Sequence, residues 1–461
     1  MKRSFPSLLA LLLAALLCMA CFAGCAGGNG ADAPAANGDD VQNATIIPEK
    51  DETGETVTIS FWIDNTTDAR EATYQALIDR FESENADIKV ELLGVAGDMT
   101  QKLDIALAGG SPPDCSTLIQ SSVSSYILNG ELVPLDAYLA EWDAYEQVLP
   151  SAWETVASFN AVDAQKYALP FASNVWCLWV NTGMYEAAQQ ALPTNWENFF
   201  AAAQTLHNTV DNTYGLAIRG GAGGGTSLEY MMYSYSGLTN YFDENGKCTV
   251  NDPKNVEFVE KYLGLYGDYT AESDLNNGWS ELAAAFQSGS AATIMHNLGS
   301  ANAHAEVFEN DYSRFQAMPL PACADGYTVY PQMNVSGYCI YSDSKHQDAA
   351  WRFISWLSEA EQASAVSQTY GIMPVNSEAL KADWVSEYPW FQMAAKLLAD
   401  ANTRYYDSPF TYPEYASIIA TYVEPMIQQC MAGDITAQQL CDSWAELMEK
   451  MKSEFDSHFG G

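Results

Sequence analysis

An aromatic and two polar side chains follow one another where the first strand pattern of the chain ends, and their chemistry is that of binding. Trp62 offers a flat aromatic face, Asp64 a carboxylate and Thr66 a hydroxyl. Ligands of open α/β sheets lie beyond the carboxyl ends of the strands. Asp64 and Thr66 are therefore candidate ligand contacts, whereas Trp62 suits either a stacking or a core position.

Signatures of catalysis are missing from the sequence. It contains no GxSxG or HExxH motif and no histidine cluster with metal-ligand spacing. Because the chain has 59 acidic residues, some pair of them will always resemble a glycosidase dyad, and no such pair counts as a signal. We expect a binding protein without catalytic residues, cofactor or metal site; a glycan-cleaving enzyme is the weaker alternative.

The charge of the chain argues against one class of partner. Lys and Arg number 20 against 59 Asp and Glu, which gives a formal net charge of −39. Such a surface repels nucleic acid and anionic lipid headgroups, because phosphate binding requires an excess of basic side chains. The 461 residues are enough for two sizeable hydrophobic cores.

The first 25 residues have the pattern of an export signal. Lys2 and Arg3 precede an apolar run at 8–17 that is too short for a permanent membrane span. The segment ends in FAGC, which resembles the lipobox of bacterial lipoproteins and implies that Cys25 is acylated. Phe22 stands where lipoboxes usually have Leu, and an ordinary signal peptide is the alternative. Residues 26–55, rich in Gly, Ala, Asn and Asp, are expected to form a flexible tether.

The cysteines after Cys25 are expected mainly to pack in the hydrophobic cores and not to form disulfides. Seven cysteines remain, so at least one is unpaired, and no CxxC spacing suggests zinc or redox chemistry. Cys323–Cys339 and Cys430–Cys441 each straddle a turn signal and are candidate pairs. Most of the seven are expected to be small buried hydrophobic residues.

Hydrophobic patterns after residue 56 alternate between strand and helix. Strands are expected at 56–62, 88–93 and 115–119, with helices at 71–83 and 99–108 between them. This order predicts an α/β unit with a largely parallel sheet. Further strands are expected at 214–218, 291–295, 316–321 and 335–341, and the chain from Pro389 onward is expected to be almost entirely helical, with an interruption near 409–413.

The stretch from Pro170 to Val180 is the one around which the other segments are arranged. Residues 175–180 are apolar and uncharged, as in a strand that is buried on both faces. The residues alone fit a crossing between two domains or the central strand of a single sheet. We adopt the crossing as the prediction.

Short motifs, each weak alone, occur in the order in which a known family has them. They are TISFW at 58–62, LAGGSPPD at 107–114, LVPLDAYL at 132–139, YALPF at 167–171, VNTGMY at 180–185, LPTNWENF at 192–199, FQSGSAA at 286–292, SKHQDAAW at 344–351 and GIMPV at 371–375. In this order behind a lipobox, they resemble the extracellular solute-binding proteins that serve carbohydrate ABC transporters, the group that includes maltose-binding proteins.

The resemblance implies an α/β fold of the periplasmic-binding-protein-like type II, with two α/β lobes, a hinge and a helical C-terminal tail. Lobe one would comprise residues 56–171 and 334–377, and lobe two residues 172–333 and 378–461. Ligand would lie in the cleft between the lobes, which closes by bending at the hinge. The implied partners of this monomer are a small-molecule ligand, the permease subunits of an ABC transporter, and the membrane through the lipid anchor only.

The resemblance also extends the set of candidate ligand contacts. Sugars bind to aromatic faces and to planar carboxylates or amides, and a closed cleft removes both from water. The chain has 12 Trp and 26 Tyr, most of which must belong to the cores. The full set of candidates is Trp62, Asp64, Thr66, Asp98, Ser121, Ser122, Asn174, Arg219, Trp279, Asn297 and Tyr412.

Several of these candidates have an alternative role. Asp98 suits a ligand contact or the cap of the next helix, and Trp279 a stacking platform or a core position. Arg219 opens the glycine-rich loop 219–226, which lacks the Gly-Lys-Ser/Thr ending of a phosphate-binding loop and is either a cleft wall or a plain surface loop. Asn174 stands where maltose-type relatives carry an acidic residue, which puts the same sugar specificity in doubt.

Together these observations predict a receptor anchored by lipid to the outer face of the bacterial cytoplasmic membrane. It would capture a sugar or oligosaccharide in the cleft and deliver it to an ABC importer. An exported receptor that presents its ligand to a membrane sensor is the alternative. Polyols, polyamines and metal ions are alternative ligands.

Overall fold

The computed structural model describes residues 56–459 except 65, 97, 98, 119, 121, 161–164 and 209. The expected signal peptide with Cys25, the tether, Asp98 and Ser121 lie outside the described residues. Within the part that is described, no helix combines the length and apolarity that crossing a membrane requires.

The strands of the described residues belong to three sheets. In chain order they are β1 Val57–Ile63, β2 Ile88–Gly94, β3 Cys115–Thr117, β4 Leu169–Asn174, β5 Trp176–Asn181, β6 Thr293–Asn297, β7 Phe315–Met318, β8 Thr328–Pro331, β9 Asn334–Ile340, β10 Met373–Pro374 and β11 Thr403–Tyr406. The largest sheet has the order β10-β4-β9-β3-β1-β2, the second β6-β5-β7, and β11 pairs with β8. β1 is parallel to β2 and β3, whereas β9 is antiparallel to both β3 and β4.

Helices connect and cover these sheets. In chain order they are α1 Asp68–Glu84, α2 Met99–Ala108, α3 Val123–Leu128, α4 Asp136–Leu139, α5 Pro150–Ser158, α6 Thr182–Ala187, α7 Trp196–Thr205, α8 Gly224–Ser236, α9 Pro253–Leu263, α10 Trp279–Gln287, α11 Ala301–Val307, α12 Gln347–Leu357, α13 Ala360–Tyr370, α14 Asp383–Glu387, α15 Pro389–Ala399, α16 Tyr415–Ile418, α17 Glu424–Met431 and α18 Ala437–Phe459. A π-helical turn, Ile419–Val423, joins α16 to α17.

In the part of the chain that the structure describes, buried apolar side chains form two separate cores. The first combines residues 59–172 with residues 333–375 around the six-stranded sheet. The second combines residues 175–330 with residues 384–451, and Met373 also belongs to it. Each lobe therefore has its own core, and the two-lobed α/β fold is confirmed. The exact boundaries given above for the lobes stay a prediction.

The chain passes between the cores at Val175. β4 ends at Asn174 in the six-stranded sheet, and β5 begins at Trp176 in the three-stranded sheet. A second passage lies between β8, which ends at Pro331, and β9, which begins at Asn334. The stretch around Pro170 is thus two strands in two different sheets and not the central strand of one.

Three expectations about secondary structure were wrong. The first sheet is mixed and not largely parallel, because β9 runs antiparallel to both of its neighbours, β3 and β4, and β10 runs antiparallel to β4. Residues 214–218 form no strand, since Ile218 donates its amide to the Asp274 carboxylate at 2.6 Å and Tyr214 makes only an isolated bridge. The tail after Pro389 contains a strand, β11, which pairs with β8.

The cysteines after Cys25 are all free. Six are buried and Cys430 is partly exposed, so neither candidate pair forms a disulfide. Burial raises the pKa of the Cys115 and Cys177 thiols, which keeps them protonated and unreactive. These residues pack as small apolar side chains.

Candidate functional site

A cavity of about 610 Å³ lies between the two cores. Residues of the first lobe, such as Asp64 and Thr117, and of the second lobe, such as Tyr230 and Trp279, line it together. Its size is that of an ordinary small-molecule site. Because both lobes contribute walls, a change in their relative orientation would change the cavity.

The ends of the crossing strands form one part of the lining. Asn174 closes β4 and Asn334 opens β9, and the two residues are partners in the register of these strands. Phe171 of β4 also lines the cavity and stacks on Tyr338 of β9, with 4.7 Å between ring centroids. Amide and aromatic groups therefore meet where the chain leaves one lobe for the other.

The first-lobe wall is built around Asp64, directly after β1. The Asp64 amide donates to Thr117 Oγ1 at 3.0 Å, and that hydroxyl donates to Asp64 Oδ1 at 2.8 Å. The guanidinium carbon of Arg70 lies 3.9 Å from the centre of the Tyr370 ring, and both residues line the cavity. The wall thus combines an oriented carboxylate with a cation held over an aromatic face.

The second-lobe wall is aromatic. The Trp176 ring meets Tyr230 and Trp279 edge to face, with centroids 5.2 and 6.2 Å apart. The His296 ring is stacked on Trp279, with centroids 3.3 Å apart. Burial lowers the pKa of His296 to about 2, so this imidazole is neutral at any physiological pH.

Two polar atoms at the crossing have no hydrogen-bond partner among the described residues. They are Asn174 Oδ1 and Trp176 Nε1, and both are buried. Leaving such an atom unpaired in a protein costs about 1–3 kcal/mol. A ligand or a bound water that paired with either atom would recover that free energy.

The cavity brings together four of the candidates from the sequence: Asp64, Asn174, Trp279 and Asn297. Arg219 lies next to it, since its guanidinium carbon is 5.6 Å from the centre of the Trp279 ring while its Nε donates to the carbonyl of Ala222 at 2.7 Å. Burial lowers the pKa of Arg219. Arg219 therefore supports the Trp279 ring from the glycine-rich loop.

The remaining described candidates make other contacts. Trp62 packs on the first core beneath the Lys102 ammonium, which is 5.1 Å from the ring centre. Thr66 donates to Glu71 at 2.6 Å, and Ser122 donates to Thr100 at 3.4 Å. The Tyr412 ring meets Phe242 and Phe455, with centroids 5.9 and 5.1 Å apart, whereas the cavity is lined two residues earlier by Phe410.

Sequence reasoning missed cavity residues that come from several elements. They include Arg70, Gln120, Trp176, Tyr230, Asn334, Tyr370 and Phe410. Phe410 could have been found, because it stands in the same proline-flanked loop as the candidate Tyr412. No local pattern marks Tyr230 or Tyr370 as a ligand contact, since each occupies an ordinary apolar position of a helix.

The glycine-rich loop is packed too closely to cradle a ligand. A side chain at Gly220 would meet the carbonyl of Asp274 at 2.5 Å, and one at Gly221 the carbonyl of Asn276 at 2.5 Å. Gly223 has φ +82°, a left-handed conformation that other residues rarely adopt. These glycines serve the close packing of the loop, and Thr226, in the first turn of α8, is the residue that reaches the cavity.

A second, larger cavity of about 1000 Å³ lies in the second lobe beside α7 and α9. Its polar groups pair with each other: Lys261 Nζ lies 2.6 Å from Glu257 Oε1 and 3.1 Å from the Tyr235 hydroxyl. It belongs to a single lobe and cannot close by lobe movement. The smaller cavity between the cores is therefore the better candidate site, and the described residues contain no cluster suited to a metal ion.

Comparison with known proteins identifies a family that this chain matches. The sequence profile of the bacterial extracellular solute-binding proteins matches residues 65–364, more than half of the chain. An inferred binding protein of Brucella abortus (strain 2308) is 23% identical over 331 residues, covering 70% of this chain and 77% of its own.

Solved structures share the fold. A solute-binding protein of an ABC transporter from Thermotoga lettingae TMO, bound with α-D-tagatose, has a TM-score of 0.72 and 20% identity, covering 86% of this chain and all of its own. The sugar-binding protein MalE of Xanthomonas citri has a TM-score of 0.72 and 16% identity, with coverages of 88% and 99%. The chain therefore belongs to the family of bacterial extracellular solute-binding proteins.

Proposed function

We propose that the protein is a lipid-anchored extracellular receptor that captures a sugar or oligosaccharide between its lobes and delivers it to an ABC importer. The observation that carries this proposal is the composition of the cavity. Indole and phenol rings from both lobes surround it together with a carboxylate, a guanidinium and several carboxamides. Aromatic faces suit the C–H faces of a sugar ring, and the planar polar groups suit its hydroxyls.

The charges of the cavity favour a neutral ligand. Among the described residues, its lining contains one carboxylate, from Asp64, and one guanidinium, from Arg70. The other polar groups are amides and hydroxyls, such as those of Gln120, Asn174 and Asn297. A ligand with a net charge would leave one sign without a balancing partner in a site shielded from water. The hydroxyls of a polyhydroxyl compound can donate to the carboxylate, accept from the guanidinium and do both with the carboxamides.

Capture would proceed by rotation of one lobe on the other about the crossings at Val175 and at 331–334. Closure removes the ligand from water and strengthens each hydrogen bond made to it. Similar proteins support the ligand class: the Thermotoga lettingae structure holds tagatose, and the Xanthomonas citri protein is a sugar-binding protein. Acylation of Cys25 would retain the monomer at the outer face of the cytoplasmic membrane, beside the permease subunits to which it delivers.

A thermal-shift screen followed by calorimetry tests this function. The mature chain, with Cys25→Ser to prevent acylation, is screened against D-tagatose, maltose, xylo- and manno-oligosaccharides, ribitol, spermidine and calcium. A compound that binds the native state raises the melting temperature by mass action. We expect a neutral sugar or oligosaccharide to do so.

Matched variants locate the binding. Trp279→Ala should remove the shift, whereas Tyr422→Ala should leave it, because Tyr422 is an exposed aromatic residue that does not line the cavity. Binding of spermidine or calcium alone would overturn the ligand class. Binding of a sugar that is unchanged by Trp279→Ala and by Asp64→Asn would overturn the site.

A further inference from the structure

Glu229 is a buried carboxylate on α8 that receives three hydroxyl donors. Tyr406 donates to its Oε1 at 2.7 Å, while Tyr415 and Tyr241 donate to its Oε2 at 2.8 and 3.2 Å. The side chain has no exposed surface, and among the described residues its hydrogen bonds come from tyrosines and from no Lys, Arg or His. Such an arrangement concentrates the hydrogen bonds of three segments on one group.

Two of these donors stand at the ends of a single loop. We call residues 406–415 the tail loop; it begins at Tyr406, where β11 ends, and finishes at Tyr415, where α16 begins. Phe410, in its middle, lines the cavity between the lobes. The Phe410 ring also meets the Tyr415 ring edge to face, with 5.5 Å between centroids. The position of Phe410 therefore depends on an anchor of the loop.

The tail loop also touches the first lobe. The hydroxyl of Ser124, on α3, lies 2.7 Å from the carbonyl oxygen of Phe410, to which it donates. Thr411 donates its hydroxyl to the carbonyl oxygen of Ser158, on α5, at 2.7 Å. The same loop is thus tied to the second lobe through Glu229 and to the first lobe through backbone carbonyls.

Glu229 is a neighbour in sequence of residues that line the cavity. Tyr230, the following residue of α8, forms part of the aromatic wall, and Thr226, one turn earlier, also lines the cavity. A displacement of α8 relative to the tail loop would therefore change two parts of the second-lobe wall together. The three tyrosine bonds oppose that displacement.

We propose that Glu229 is a positioning residue that clamps the tail loop to α8, holding Phe410 in the cavity and the loop against the first lobe. The inference rests on the proposed function only in taking this cavity as the ligand site. Glu229 itself does not line the cavity, so its effect on a ligand passes through Phe410 and Tyr230.

Hydrogen exchange measured by mass spectrometry on the mature chain tests the clamp without any ligand. Glu229→Leu keeps the volume and removes the acceptor, and we expect exchange in 406–415 to rise about tenfold or more. Glu229→Gln should restore protection to within about threefold, because a carboxamide can pair with the same hydroxyls once they reorient. Tyr241→Phe is the matched control: it removes a bond to the same carboxylate outside the tail loop and should leave exchange in 406–415 unchanged.

Ligand binding supplies the second measurement. For whichever sugar the screen identifies, Glu229→Leu should weaken binding about tenfold while Glu229→Gln retains it. If Glu229→Leu does not fold, the double variant Tyr406→Phe with Tyr415→Phe replaces it, with the same expected exchange. Unchanged exchange in 406–415, or an equal rise throughout the second lobe, would overturn the clamp. A loosened loop in a protein that binds no sugar would uphold the clamp and overturn the proposed function.

Discussion

Asn174 and Asn334 are register partners at the last position of β4 and the first position of β9. Both residues line the cavity, and the chain leaves the first lobe just after Asn174 and re-enters it just before Asn334. The crossings at Val175 and at 331–334 are therefore joined by a sheet pairing at the candidate site. A ligand that binds these amides contacts the segments about which the lobes would move.

Replacing Asn174 separates its role in ligand binding from its role in the fold. Asn174→Leu removes a buried oxygen that has no partner, so the unliganded protein should lose no stability and could gain about 1 kcal/mol. The increase in melting temperature caused by a bound sugar should become smaller, because the amide is no longer available to it. Melting curves with and without sugar measure both effects. A loss of several kcal/mol without ligand would show that Asn174 has a structural role instead.

Removing the Trp279 ring should weaken sugar binding with little change in fold. We expect Trp279→Ala to raise the dissociation constant by a factor of about 10–100, the range that loss of a well-placed aromatic contact gives. Trp279→Phe should recover part of the affinity, since a smaller aromatic face remains. Isothermal titration calorimetry gives the constants. Equal affinities for all three proteins would exclude Trp279 from the site.

The buried Glu229 should make stability depend on pH. Burial raises the pKa of this carboxyl from an ordinary value of 4.5 to about 7. A raised folded pKa means that ionisation opposes folding, so this contribution to stability is complete below about pH 4.5 and is lost as the pH rises through 7. The loss should reach about 3 kcal/mol, from 1.36 kcal/mol per pKa unit.

Comparison with Glu229→Gln isolates that contribution. The groups around Glu229 do not titrate in this window, since burial raises the pKa of each of them: Tyr230, Tyr233, Tyr241, Tyr406, Tyr415 and Cys248. The difference in unfolding free energy, wild type minus variant, should fall between pH 4.5 and 7 and then stay level. Urea unfolding at several pH values measures it. A difference that is independent of pH would contradict the raised pKa.

Gly223 and Gly433 form a matched pair for measuring the cost of crowding in the glycine-rich loop. Their φ angles are +82° and +81°, but a side chain at Gly223 would meet the Arg219 guanidinium at 2.1 Å, whereas one at Gly433 would meet nothing within 4 Å. Gly433→Ala should cost about 1 kcal/mol of unfolding free energy from backbone strain alone. Gly223→Ala should cost about 1–2 kcal/mol more and weaken sugar binding, because Arg219 supports Trp279. Equal losses would show that the guanidinium moves aside freely.

Local patterns in the sequence were enough for the elements whose stability is local. The helix at Met99–Ala108 was expected at both of its observed ends, and the strand that begins at Ile88 was expected to begin there. The strand expected at 214–218 does not form, because the amide of Ile218 donates to the side chain of Asp274, 56 residues away. No local pattern contains that contact.

The residues of the candidate site also fall into those that the local sequence indicated and those that only packing brings to the cavity. Asp64 was found because it directly follows a strand, and Asn174 and Trp279 because motif order placed them. Phe410 and Tyr230 were missed because each reaches the cavity only through packing between distant segments, the tail loop and α8. Tyr412, although two residues from Phe410, points to a different contact, against Phe455.

By itself the sequence determined the family, the two-lobed α/β fold and the crossing near Pro170. These follow from the order of strands and helices and from short motifs, and both are properties of neighbouring residues. Only the tertiary structure decided which aromatic rings face the cavity, which asparagines pair across the crossings and where the Glu229 carboxylate finds its donors. Each of those relationships joins residues that are far apart in the chain, and their side chains become neighbours only when two cores have formed and packed.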